Sequence, residues 1–252
     1  MEYFVNNNSI VRQIWGKGDT ILFIFAGAAA EFALNKAVDW LYFTGRLPAD
    51  PLGRLFSTVS YARVIIFSEQ EAAHKAIDSI AAIHAAVEGK RGARIPDWAY
   101  RDVLFMLIDY SIRSYELLER KLDKGEKQEV FEVFHRVGTR MGLTGLPEDF
   151  DTWQTMRESH IECDLAYSPY TTDLFKQYCK HLGEFRYQIL LESQALVVPP
   201  SVSQMLRLRS LSLMKPIIVL YKIARMLKLD NALKSMILPA KYKKEIAALD
   251  QV

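Results

Sequence analysis

The sequence predicts an all-α protein: a single globular multi-helix domain of roughly eight to ten helices, followed by a basic helical C-terminal segment. Three observations predict it. Apolar residues recur near the 3.6-residue period through almost the whole chain, and no stretch shows the period of two that a half-buried strand requires. Half of the 252 residues are apolar, enough to bury a sizeable core. The breaks fall on proline and glycine at helix-length intervals, as helix ends do.

Taken in order, Met1 to Arg12 is polar, with three asparagines and no basic region leading into an apolar core, so no secretory signal is expected. Asp19-Thr20 is placed to cap a helix over residues 21–43. Its Gly27-Ala28-Ala29-Ala30 run suits either tight helix packing or a flat ligand lying on the backbone. The longest apolar run, Ile21 to Ala30, is about half of what a bilayer span needs, so no transmembrane helix is expected. Asp50-Pro51 starts a helix over 52–67. Ser68-Glu69-Gln70-Glu71 has the capping-box pattern, and Gly89 is placed to end the helix it opens. Further helices are expected over 97–122, 126–141, 148–164 and 171–197. Pro199-Pro200 marks the one boundary, dividing residues 1–200 from 201–252.

The net charge of +2 is too small to indicate a nucleic-acid partner. Cys163 and Cys179 have neither metal-site spacing nor a disulfide framework, which points to a reducing cytoplasm. From Arg207 to Lys244 cationic residues alternate with apolar ones. The pattern suits a helix lying on anionic lipid, hence a peripheral membrane contact, or a terminal helix packed on its own domain with a solvated basic face.

His84 is the most informative position. With Ala73, Ile77, Ile80 and Val87 it forms one narrow stripe on a helix, where a leucine would be expected. A buried imidazole needs a partner for each ring nitrogen or a metal on one of them. Two Glu-x-x-His pairs, Glu71/His74 and Glu132/His135, invite a di-iron reading, but both lie off the apolar faces of their helices and are expected to meet solvent. On the preceding helix Arg54, Thr58, Tyr61 and Ile65 share a face. Arg54 and Thr58 are either an anion clamp, a guanidinium fork with a hydroxyl one turn away, or an ordinary boundary arginine and its neighbour. Asp109 interrupts a strongly apolar helix. It suits a carboxylate that fixes an imidazole tautomer or pairs with an arginine such as Arg54, and equally a structural ion pair.

These pieces, in order, carry a resemblance. Trp15-Gly16 and Asp19-Thr20 are followed by the small-residue helix and by Ala49-Asp50-Pro51-Leu52-Gly53-Arg54-Leu55-Phe56-Ser57-Thr58. Then come Val64-Ile65-Ile66-Phe67, His84-Ala85-Ala86-Val87-Glu88-Gly89, the Asp109 helix and Leu196-Val197-Val198-Pro199-Pro200. Over about residues 15–210 the chain resembles the family of latex-clearing rubber oxygenases and the mycophenolic-acid-pathway membrane-bound oxygenase. The resemblance implies an all-α oxygenase that binds haem b, with His84 as proximal iron ligand and Arg54, Thr58 and Asp109 around the cofactor. It implies an apolar, isoprenoid-like small-molecule substrate and dioxygen as partners. The chain departs from the family at three positions. Ser57 replaces the lysine of the latex-clearing branch, and Leu34 and Leu104 stand where many bacterial members have histidines. These departures argue against rubber cleavage itself. They favour, as the alternative, a non-enzymatic helical protein that binds a small ligand or a lipid surface and has lost the cofactor.

Overall fold

Eleven helices run through the residues that the computed structural model describes, 2–45 and 49–209 apart from the Leu55 side chain, with Ile218 and Tyr221 further on. They are α1 (Ile10–Trp15), α2 (Gly18–Leu34), α3 (Val38–Phe43), α4 (Pro51–Phe67), α5 (Gln70–Arg91) and α6 (Asp97–Leu118). The rest are α7 (Lys124–Arg140), α8 (Phe150–Cys163), α9 (Pro169–Leu182), α10 (Glu184–Val197) and α11 (Pro200–Met205). Among the described residues there is no strand, only two isolated bridges. The all-α prediction holds.

Helix α2 is the axis of the fold. It is buried over most of its circumference and packs against α1, α6, α9 and α10, which is why its sequence is apolar all round rather than striped. Its small residues serve helix packing. A Cβ on Gly27 would lie 2.3 Å from Tyr110 Cδ1, so the glycine lets α6 close on α2 with the tyrosine ring flat against the backbone. The alternative of a flat ligand at this run is thereby corrected at Gly27, whose space Tyr110 fills.

Several expected boundaries move. The helix expected over 21–43 breaks at Asn35, which turns extended and binds outward through its side chain, donating to Asp102 Oδ2 at 2.8 Å and accepting from the Ala37 N–H. Neighbouring backbone groups are taken by the loop after α8: Ala166 N–H donates to Leu34 O and Lys36 N–H to Asp164 O. The stretch over 171–197 breaks at Gly183, whose φ of +75° no ordinary residue holds comfortably. Helix α5 runs past Gly89 and ends at Gly92, the left-handed residue whose N–H bonds Glu88 O. The capping box at Ser68 does not form: Glu69 is the N-cap without a side-chain bond, and Glu71 pairs with Lys75 instead. The polar N-terminus yields α1, capped by Ser9 on the Val11 N–H.

Around α2 the core is built from Trp15, Phe105, Phe131 and Ile77, among others. Trp15 Nε1 donates to Ser111 Oγ at 3.1 Å, so even its polar atom is matched. Helices α4 and α5 pack on each other at one side, with α5 also meeting α7. Short α11 meets α8. Ile218 is buried, and Tyr221 Oη donates to Asp19 Oδ2 at 3.0 Å. The basic positions Lys215, Lys222 and those from Arg225 to Lys244 lie outside the described residues. No helix among the described residues is long and apolar enough to cross a membrane.

Candidate functional site

The Asp50-Pro51-Leu52-Gly53-Arg54 segment is a helix start. Asp50 is the N-cap and accepts the Gly53 N–H at 3.1 Å, and Pro51 occupies the first turn, where a missing N–H costs nothing. A Cβ on residue 53 would lie 2.3 Å from the Asp50 carboxylate, so the glycine lets the cap fold over the helix end. This start sets the angular position of the next residues on α4. Arg54 Nη1 donates to Thr58 Oγ1 at 2.8 Å, and that hydroxyl donates to Arg54 O at 3.3 Å. The threonine thus holds the guanidinium on the face where the wheel places it.

His84 comes from α5, opposite. Ala73 and Ile77, lower on its stripe, are fully enclosed, whereas Ile80, His84 and Val87 are only half-buried. The stripe begins in the core and runs out towards the edge of the fold. The ring of Tyr100, from the first turn of α6, meets the imidazole edge-on at 5.2 Å between centroids. Tyr100 is itself fixed by Glu88, whose Oε1 accepts from Tyr100 Oη at 3.1 Å and from the Ile95 N–H at 2.8 Å. Burial and the Glu88 charge hold the Tyr100 hydroxyl protonated well above its usual range.

His84 Nδ1 is buried and has no hydrogen-bond partner. Burial, followed by the Arg54 charge, lowers the His84 pKa, with Glu88 opposing. The imidazole is therefore neutral at pH 7, with a ring nitrogen free of any proton-sharing partner. Arg54 bonds Thr58 and stands near enough to His84 for its charge to act on the imidazole, so the three lie on one side of the fold.

Asp109 is not with them. It lies nine residues beyond Tyr100 on α6, about 13 Å along the axis and on the opposite face by helix geometry. There Asp109 Oδ1 accepts from Arg113 Nε at 2.6 Å, and Oδ2 from Arg157 Nε and Nη2, both at 3.2 Å. Arg157 also forks onto Glu31, with Nη2 donating to Oε2 at 2.6 Å and Nη1 bonding Oε1. Tyr110 Oη donates to Glu31 Oε2 at 2.7 Å. Of the two readings, the structural ion pair is the one formed, and the expectation that Asp109 lines a cofactor or pairs with Arg54 is corrected. The reason is tertiary: Arg157, on α8, projects into the same apolar layer and needs two carboxylates.

The departures from the expected pattern also find places. Leu34 is fully buried at the end of α2, and Leu104 packs its Cδ2 where a Cβ on Gly138 of α7 would come. Both are core side chains. Ser57 is exposed. Glu71 and Glu132 are exposed too, so the two Glu-x-x-His pairs do not converge.

One cluster was missed. His160 and Asp102 are buried, and His160 Nδ1 contacts Asp102 Oδ1 directly, with Asp164 Oδ2 at 3.5 Å. Burial, then the Asp102 charge, raises the Asp164 pKa, with His160, Lys36 and Arg101 opposing. The local sequence around His160 is charged, which reads as surface. The only available signal was the i, i+4 spacing of His160 and Asp164, and the partner from α6 is 58 residues away.

A family model described as ER-bound oxygenase mpaB/B'/Rubber oxygenase, catalytic domain, matches residues 13–228. No curated protein and no solved structure gives a significant match to the chain.

Proposed function

The chain belongs to the mpaB/rubber oxygenase catalytic-domain family, and we propose that it is a haem b-dependent oxygenase of an apolar, isoprenoid-like small molecule, with His84 as the proximal iron ligand. The observation that carries this reading is the neutral, half-buried imidazole whose Nδ1 has no protein partner while an arginine stands beside it. A structural histidine would have its buried nitrogen satisfied. A ligand for iron is required to keep a lone pair free.

The residues fit the group. Haem b is a flat apolar ring with two carboxylates and an iron, and its chemistry when bound is the activation of dioxygen. Arg54 offers a guanidinium fork for a carboxylate, a geometry lysine cannot match. Thr58 holds that fork in place through its 2.8 Å bond. Tyr100 packs on the imidazole edge and limits its rotation, and Glu88 holds Tyr100. The Arg54 charge adds to burial in keeping His84 unprotonated, so the residue that would anchor the ring also keeps the ligand ready.

Leu34 and Leu104 supply no side chain able to bind a metal or move a proton, and Ser57 puts a neutral hydroxyl where the latex-clearing branch has a lysine. An apolar small molecule is the favoured class because the family is that of the rubber oxygenases and the half-buried residues beside His84 on its stripe, Ile80 and Val87, are apolar. The competing reading, a cofactor-free binding protein on the same scaffold, draws on Leu34, Ser57 and Leu104.

The visible spectrum of protein expressed with a haem precursor decides between them. The expected result is a Soret band that disappears in His84→Ala and persists in His74→Ala, with weaker haemin retention in Arg54→Ala. A colourless, folded wild-type protein that takes up no added haemin would overturn the reading in favour of the binding protein.

A further inference from the structure

We propose that Asp102, His160 and Asp164 form a second metal site, separate from the His84 face, that binds one zinc ion or a chemically similar divalent cation.

One candidate ligand atom from each of these side chains lies within 4.8 Å of the other two. His160 and Asp164 are one turn apart at the end of α8, so both project to the same side. Asp102 faces them from α6. An imidazole nitrogen with two carboxylate oxygens is a donor set that suits zinc and its first-row neighbours, and it leaves a fourth position for water. Asp164 Oδ2 stands 3.5 Å from His160 Nδ1, close to the roughly 3.4 Å that two ligands of a tetrahedral ion adopt at bonds of about 2.1 Å. Nδ1 and Asp102 Oδ1, by contrast, touch directly and would have to part for an ion to sit between them.

The surroundings are those of a supported site. Asn35 donates through Nδ2 to Asp102 Oδ2, and its own Oδ1 is fixed by the Ala37 N–H, so the amide can orient the carboxylate in only one sense. Phe105 packs on the His160 ring at 5.2 Å. Asp164 is the most exposed of the three, with a side chain 21% accessible, which gives an ion a path in.

Charge makes the strongest argument. Asp102 has a side chain only 1% accessible, and the salt bridges of both carboxylates go to His160 alone among the described residues. Lys36 and Arg101 stand near enough for their charges to act on Asp164, but neither forms a salt bridge with it: Lys36 Nζ bonds Cys163 O, and Arg101 Nη1 donates to Thr144 O at 2.8 Å. A carboxylate as enclosed as Asp102, with a second one beside it, needs a positive charge close by. The Arg157 network shows how the same protein solves that problem with arginine. Here the place is left to an imidazole and, in this proposal, a metal.

The site lies off the His84 face. Asp102 is two residues from Tyr100, about 200° around α6. It can therefore be tested without reference to haem. Full-length protein is stripped with chelator and titrated with Zn²⁺ by calorimetry, and with Co²⁺ by visible absorption. The expected result is one equivalent bound, with cobalt d–d bands that Zn²⁺ displaces. Asp164→Asn, at the partly exposed margin, weakens binding at least tenfold while circular dichroism stays unchanged, and Asn35→Ala weakens it about 10- to 100-fold. His84→Ala leaves zinc uptake intact, which keeps this outcome independent of the haem result. A folded wild-type protein that takes up neither ion at submillimolar concentration would overturn the proposal, leaving the direct His160–Asp102 contact as the whole of the cluster. Uptake unaltered by both Asp164→Asn and His160→Gln would do the same.

Discussion

The His84 face and the Arg157 network hold the same kinds of groups in opposite states. Around Arg157, two carboxylates, two arginines and a tyrosine hydroxyl bond one another, and their formal charges cancel. Around His84 a buried nitrogen goes unbonded, and the apolar stripe opens towards solvent instead of closing on the core. A saturated polar network fixes three helices, α2, α6 and α8, against each other and offers nothing to a ligand. An unsaturated one is costly unless something else completes it. Residue type does not separate these two regions, since an arginine and acidic residues occur in both. The difference lies in what those groups bond, although buried unbonded atoms such as Ser114 Oγ and Trp153 Nε1 also occur away from His84.

The largest effect expected from this contrast is at Arg157. Removing its guanidinium in Arg157→Ala leaves Glu31 buried without a cation and Asp109 with Arg113 alone, and unfolding free energy from urea titration falls by about 3–5 kcal/mol. A loss below about 1 kcal/mol would mean that the network is not a scaffold element.

A smaller effect tests the same network by pH. Burial, with the Glu31 charge adding to it, raises the Tyr110 pKa well above that of free tyrosine. The unfolded chain releases this proton from about pH 10, while the folded chain keeps it. The folded state then binds more protons than the unfolded one, so stability falls as pH rises above about 10. Tyr110→Phe loses about 1.5–3 kcal/mol at neutral pH, the worth of a hydrogen bond to a charged group. It also makes the alkaline decline shallower. Urea midpoints measured between pH 8 and 11 check both points.

The smallest effect belongs to the proposed site. In protein without cofactor, His84→Ala loses contact with Tyr100 but also removes an unbonded buried nitrogen, so stability changes by less than about 1 kcal/mol. Thermal melts of the cofactor-free variant measure this. A loss of 3 kcal/mol or more would place His84 with the scaffold and erase the contrast.

Much of this was legible in the sequence, for a local reason. The Asp50 cap, Pro51 in the first turn and the i, i+4 pairing of Arg54 with Thr58 all depend on residues within one or two turns of each other. The outward-facing glutamates of the two Glu-x-x-His pairs followed from helix angles alone. The break at Asn35 was not legible, because its cause is Asp102 on another helix. Gly92 was passed over for Gly89 because both are glycines near a helix end, and only the loop back to Glu88 distinguishes them. Asp109 looked available because nothing within a turn or two of it announces Arg157.

By itself the sequence determined the helical class, the family to which the chain belongs, and the placing of Arg54, Thr58 and His84 on faces suited to one another. Periodicity, caps and spacing are properties of a chain and its nearest neighbours, and they survive being read one residue at a time. The tertiary structure decided which polar groups are matched. It joined Asp109 to Arg157 and Asp102 to His160, and it left His84 Nδ1 alone. Pairings across 48, 58 or more residues are set by how helices dock, and docking is decided by the whole apolar core at once.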